Sequence, residues 1–172
     1  MKQQLKQIII ALAVAAVCAL ALFAAARWLT RPQSFADIFP ADLAQVSRCQ
    51  VLLEHDEHRQ PGQTPVDLST EQLQELLDRL GQTRYSARFS TLINHNPFNT
   101  SVTGIPVTID PYARLFLEGE SGLRVELMLC GDTFVVNPLD GTDSRGGSYD
   151  TAGGARFQEE LVTWLEQQTS TP

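Results

Sequence analysis

Hydrophobic and polar positions divide the chain into three regions of different period. Residues 8–26 are apolar without interruption by charge, Gly or Pro. From Arg48 to His55 the pattern alternates, with Cys49, Val51, Leu53 and His55 on one side and Arg48, Gln50, Leu52 and Glu54 on the other, which predicts a strand. Asp56 to Pro65 is polar and contains Pro61-Gly62, so it reads as a loop. A helix comes next. Ser69 and Gln72 have the spacing of a capping box, Leu73, Leu76, Leu77 and Leu80 fall on one helical stripe, and Gly81 is the expected stop.

Beyond that helix the period returns to two. Tyr85, Ala87 and Phe89 alternate with Arg84, Ser86 and Arg88, and Ile105, Val107 and Ile109 alternate around Pro106, which marks an edge strand. Leu115 to Glu118 and Leu123 to Cys130 flank the turn Gly119-Glu120-Ser121-Gly122, and Gly131-Asp132 leads into Thr133 to Asn137. Leu139 to Gly154 reads as a Gly-, Asp- and Ser-rich loop, and from Ala155 a final helix carries Phe157, Leu161, Trp164 and Leu165 on one side. The expected fold is α+β: an antiparallel β-meander packed by two helices and preceded by one N-terminal transmembrane helix. The boundaries are an anchor at 1–31, a linker and docking segment at 32–45 in which Phe35, Ile38, Phe39 and Leu43 can reach the core, and a domain at 46–172.

The first region is long enough to cross a bilayer, since about 19 residues at ~1.5 Å each give roughly 28 Å against a hydrocarbon core of ~30 Å. Lys2 and Lys6 precede it and Arg27 and Arg31 come after it, so basic residues do not set its direction. The default for a first segment keeps the short N-terminus inside and exports the rest. Trp28 stands where an interfacial aromatic anchors a retained helix. Two other fates remain open: cleavage after the small residues Ala24-Ala25-Ala26, as in a signal peptide, and lipid attachment at Cys18.

Charge narrows the partners. Every Asp and Glu lies beyond the apolar segment, and from Pro32 onward nine arginines and no lysine face 20 acidic residues, a formal charge of −11. Such a domain is repelled by nucleic acid and by anionic headgroups. Without lysine it has no Ser–Lys dyad, no Schiff-base amine and no P-loop lysine.

Among reactive residues, Cys49 and Cys130 are the two cysteines beyond the anchor. A disulfide between them would close a loop of about 80 residues and contribute about 4 kcal/mol, but alternation places them on opposite faces of the sheet. Leu127-Met128-Leu129-Cys130 at a strand end, with Arg145 downstream in an exported, tethered domain, resembles the sortase-type cysteine transpeptidases. The resemblance implies Cys130 as nucleophile, His95, or else His55 or His58, as its histidine, and Arg145 as the arginine. The sequence departs from that pattern at Leu129, where the family carries Thr, and in the loop position of Arg145. It covers about a dozen residues.

His55 and His58 stand three apart with carboxylates between them, a spacing that grips a transition metal only on a helix and with further ligands. Asp140, Asp143 and Asp150 lie in the Gly-rich stretch without EF-hand spacing, and no cofactor motif is present. Arg84, Arg88, Arg114 and Arg124 fall on the outward phase of their strands and form a candidate anion patch, unless Glu118 and Glu126 on the same phase neutralise them. In layout, with a short basic N-terminus, one apolar helix and a lysine-free acidic α+β domain, the chain resembles the small membrane-anchored extracytoplasmic proteins of unknown function of Gram-positive bacteria. The expected function is a non-enzymatic module of the cell envelope that meets an envelope protein or an anionic ligand. Two alternatives stand beside it: a cysteine-dependent, sortase-like transpeptidase or hydrolase, and an accessory subunit of a membrane complex.

Overall fold

The structure, a computed structural model, describes residues 2–54, 64–88, 112–139 and 146–170. Two compact units divide at Arg31. The first is a single helix, α1 (Lys2–Leu29), with a stretch from Lys6 to Trp28 long and apolar enough to cross a membrane. At its end the Arg31 guanidinium lies over the Trp28 ring, 5.1 Å from the centroid.

The second unit is α+β. Its elements are α2 (Phe35–Ile38), β1 (Val46–Leu53), β2 (Val66–Asp67), α3 (Thr70–Gln82), β3 (Tyr85–Ala87), β4 (Ala113–Gly119), β5 (Arg124–Cys130), β6 (Thr133–Pro138), β7 (Gly147–Thr151) and α4 (Gly154–Thr169). Seven antiparallel strands pair in the order β2-β1-β4-β5-β6-β7-β3, so the meander β4 to β7 is central and β3 closes the far edge. Helices α2, α3 and α4 supply the apolar cover of one sheet face. Leu73, Leu76 and Leu80 of α3 and Leu161, Val162 and Leu165 of α4 meet Cys49, Leu115, Leu117, Val125, Leu127, Leu129, Phe134 and Val136 in one buried core.

The docking segment is part of that core. Gln33 forms a bridge with Tyr85, its amide donating to the Tyr85 carbonyl at 2.8 Å and its carbonyl accepting from the Tyr85 amide at 2.9 Å. Ser34 and Asp37 then make a capping box that starts α2. The turn it fixes delivers Phe35, Ile38 and Phe39 into the interior, where Phe35 packs on Phe39, Tyr85 and Phe134 at centroid distances of 5.5, 5.8 and 6.2 Å.

Four boundaries differ from the sequence expectation. Strand β1 begins at Val46, because a register shift between Val46 and Arg48 returns Val46 to the core side. The pair Val66–Asp67 adds the short edge strand β2. Helix α3 runs past Gly81 and is capped by Thr83 in an extended conformation, so its last turn needs no left-handed glycine. Finally, the stretch read as loop from Leu139 to Gly154 contains β7, whose Gly147-Ser148-Tyr149-Asp150-Thr151 has little strand propensity of its own and is held by pairing with β6 on one side and β3 on the other. Asp150 is therefore a strand residue. The edge strand expected at 105–109, and Phe89, lie outside the described residues.

Candidate functional site

The alternation of the strands puts Arg48, Leu52, Arg114, Phe116, Glu118, Arg124, Glu126, Met128 and Cys130 on the face of the sheet opposite the helices. Here the guanidiniums meet carboxylates. Arg114 Nη1 donates to Glu126 Oε1 at 3.1 Å, and its Nε lies 2.9 Å from Glu54 Oε1 yet makes no hydrogen bond, so that contact is a charge pair off the donor axis. Asn137 Nδ2 donates to the other Glu126 oxygen at 3.0 Å, which completes a part-buried network across β4, β5 and β6. Arg124 stands 3.7 Å from Glu118, which also accepts from Arg48 at 3.2 Å. Arg48 in turn forks onto Asp67 at 2.7 and 2.9 Å, and this partner holds the Asp67 carboxyl below its ordinary range.

Arg88 lies beyond β3 and pairs with Asp132 at 3.0 Å and Asp150 at 2.6 Å. Thr133, whose hydroxyl donates to Asp132, and then Arg88 lower the Asp132 carboxyl. Arg84 is exposed and makes no ion pair among the described residues. Strand β3 is four places from β4, about 19 Å at a spacing of ~4.8 Å. The four arginines are thus spread over the width of the sheet, with three of them neutralised across strands.

The cysteines occupy opposite faces, as their alternation requires. Cys49 is in the main core, and Cys130 joins Met128 and Val135 in a small cluster on the outer face; both are free thiols. Desolvation pushes Cys49 up to about 12. Cys130 is pushed up to about 11, chiefly by burial, against which Arg114 pulls only partly. Roughly one Cys130 thiol in a thousand is then ionised at pH 8, whereas a catalytic thiolate needs a depressed value. Native-state alkylation at pH 8 is therefore expected to leave Cys130 largely unmodified while the denatured chain reacts readily, and rapid native labelling with a midpoint below ~8.5 would restore it as a nucleophile. His95, Arg145, His55 and His58 lie outside the described residues, as do Asp140 and Asp143.

A different site emerges on the helix side. Helices α3 and α4 run antiparallel, joined at one end where Gln72 Nε2 donates to Gln168 Oε1 at 3.0 Å, and midway where the Arg79 guanidinium lies over the Trp164 ring at 4.9 Å. At the other end, where α3 stops and α4 starts, a cleft of about 450 Å³ opens, lined by Arg79, Thr83, Gly153, Arg156, Phe157 and Leu161 among others. Its chemistry derives from two glycines. A Cβ on Gly153 would come within 2.7 Å of Phe157 Cβ, and Gly154 has φ +57, so close packing and a left-handed backbone both select glycine here. Neither residue offers an oxygen to cap α4, and the first turn holds no acid. Among the described residues no side chain caps the leading amides of α4, a position that favours anions.

Two arginines line the cleft. Arg79 donates from Nε and Nη2 to Glu75, at 3.0 and 2.6 Å, and Arg156 from Nε to Glu160 at 2.8 Å. Among the described residues, Arg79 Nη1 and both terminal nitrogens of Arg156 have no carboxylate partner. Phe157 and Leu161 provide an apolar wall beside these donors. Sequence reading missed the cleft because it weighed arginines by strand phase. The legible signal was Gly153-Gly154 opening a helix whose first turn carries Arg156 in place of an acid.

Compared with protein-family models, with curated proteins and with solved structures, the chain matches none. The fold and the site define it only as an α+β protein with a seven-stranded antiparallel sheet and an N-terminal apolar helix.

Proposed function

We propose that this chain is a membrane-tethered, extracytoplasmic, non-enzymatic module of the cell envelope, and that it binds an anionic ligand at the cleft between α3 and α4. The observation that carries the reading is the set of unused donors there. In a domain with formal charge −11, Arg79 and Arg156 are each paired with one glutamate of their own helix, and among the described residues Arg79 Nη1 and the terminal nitrogens of Arg156 are left over for a ligand. The apolar helix from Lys6 to Trp28 supports the tether, and the default orientation of a first apolar segment supports export of the α+β domain.

The test uses the full chain in phosphatidylcholine nanodiscs with inorganic phosphate as the probe. Amide resonances of residues 154–157 are expected to shift saturably and to lose most of that shift in Arg156→Gln. Equal responses in the variant and the parent, or no response, overturn the anion site. External protease on intact cells is expected to digest the domain, and a domain protected until lysis would overturn the export.

A further inference from the structure

Arg48, Arg79, Arg88, Arg114 and Arg156 of the α+β unit are all paired with carboxylates. The two arginines at the end of α1 are placed differently. That helix contains no Asp or Glu, and the first acid of the chain is Asp37, so α1 offers neither Arg27 nor Arg31 a carboxylate. The helical turn continues past Leu29: the amide and the hydroxyl of Thr30 both donate to the Ala26 carbonyl at 3.0 Å, and the Arg31 amide donates to the Trp28 carbonyl at 3.4 Å. Arg31 thereby comes back over the preceding turn, and its guanidinium rests on the Trp28 ring, which braces a long side chain while the indole stays 63% exposed.

The depth of these residues follows from length. The apolar run ends at Ala26. At ~1.5 Å per residue the next five rise about 7 Å, the thickness of the polar layer on each side of a ~30 Å core in a bilayer of ~40–45 Å. Arg27, Trp28 and Arg31 thus lie at the level of the lipid phosphates once residues 8–26 fill the core.

We propose that the end of α1 binds the headgroup of an anionic phospholipid, with Arg27 and Arg31 on its phosphate and Trp28 against its glycerol region. This rests on the tether reading above, and it holds for either direction of crossing. Charge complementarity names the occupant: each basic residue beside an anionic surface adds about fivefold to the attraction, whereas a zwitterionic lipid brings a cation of its own. The formal charge of −11 from Pro32 onward opposes the attraction, so the lipid at Trp28 has to be read in the full chain.

The experiment places the full chain in vesicles of nine parts phosphatidylcholine to one part phosphatidylglycerol. Bromine is carried on the upper acyl chains of either the phosphatidylglycerol or an equal amount of the phosphatidylcholine. Bromine quenches an indole that it touches, so Trp28 fluorescence reports the lipid beside it, and the surface charge is the same in both preparations. The other tryptophan, Trp164, is buried, and Trp28→Phe measures its background. Brominated phosphatidylglycerol is expected to quench about fivefold more than brominated phosphatidylcholine. The preference is expected to vanish in the double variant Arg27→Gln, Arg31→Gln and to persist in Lys2→Gln, Lys6→Gln at the other end of the helix.

Equal quenching by the two lipids in the parent chain overturns the headgroup site and leaves the tether in place. No quenching by either lipid overturns the tether and the site together. A preference that survives loss of both arginines, or that disappears with the lysines, belongs to the overall charge of the chain and overturns the site as well. The comparison of lipids in the parent needs no variant to fold.

Discussion

Replacing Phe35 by Ala is expected to destabilise the domain by about 3–5 kcal/mol, the range for removing a buried aromatic ring, and to lower its melting temperature by roughly 10–20 °C. Phe35 is fully buried and touches three other rings, with Tyr85 and Phe134 themselves only 5.0 Å apart. Its loss opens a void where α2, β3 and β6 meet, and the ring edges that faced it lose their contacts. The measurement is thermal unfolding of the full chain read by near-ultraviolet circular dichroism. Val66→Thr on the exposed edge strand serves as a control expected to stay within ~0.5 kcal/mol. A Phe35 variant no less stable than that control would mean that the segment before β1 is an accessory to the fold and not a part of it.

Gln158→Leu is expected to act in the opposite direction, raising stability by about 1–3 kcal/mol. Gln158 sits on the core face of α4 with Leu161, Val162 and Leu165, is fully buried, and among the described residues neither its amide nitrogen nor its oxygen has a hydrogen-bond partner. A buried amide in that state carries its desolvation cost without return, and Leu has nearly the same volume with no polar atoms to desolvate. Denaturant titration should move the midpoint up with an unchanged slope. A fall in the midpoint would show that an internal water or another group satisfies the amide in solution.

These two residues also show how far the chain could be read beforehand. The leucine stripe of α3 and its capping box lie within one local window, so spacing alone located the helix, and the alternation of β4, β5 and β6 fixed which side chains face the core. Phe35 was legible as an apolar residue able to dock, since Phe35, Ile38 and Phe39 recur within five positions. Its partners were not, because Tyr85 and Phe134 come from strands that only the sheet order brings together. Gln158 carries one local sign of burial, its spacing of three, four and seven residues from Leu161, Val162 and Leu165, but its polar side chain masks that phase, and only the packed helix reveals where its amide ends.

β7 and the cleft were missed for a related reason. The segment 147–151 becomes a strand because β6 and β3 stand on either side of it, so its conformation is decided by partners far apart in sequence. The cleft needs the end of α3 beside the start of α4, about seventy residues later, and no window along the chain contains both. By contrast, the opposite facing of Cys49 and Cys130 needed only the period of two, and their strands kept it.

The bridge at Gln33 sets where the chain can be cut. Cleavage next to Ala26, as a signal peptidase would perform, keeps Gln33 bonded into the sheet and Phe35 in the core of the released domain. A cut between Pro40 and Gln45 is a different event. It would strip the outer edge of β3 of its partner and empty the pocket that Phe35 and Phe39 fill, so the released fragment would expose a raw strand edge beside a hole in its core, the condition in which β-rich chains join edge to edge. Shedding from the membrane is thus compatible with a working domain only within the half-dozen residues that precede Gln33.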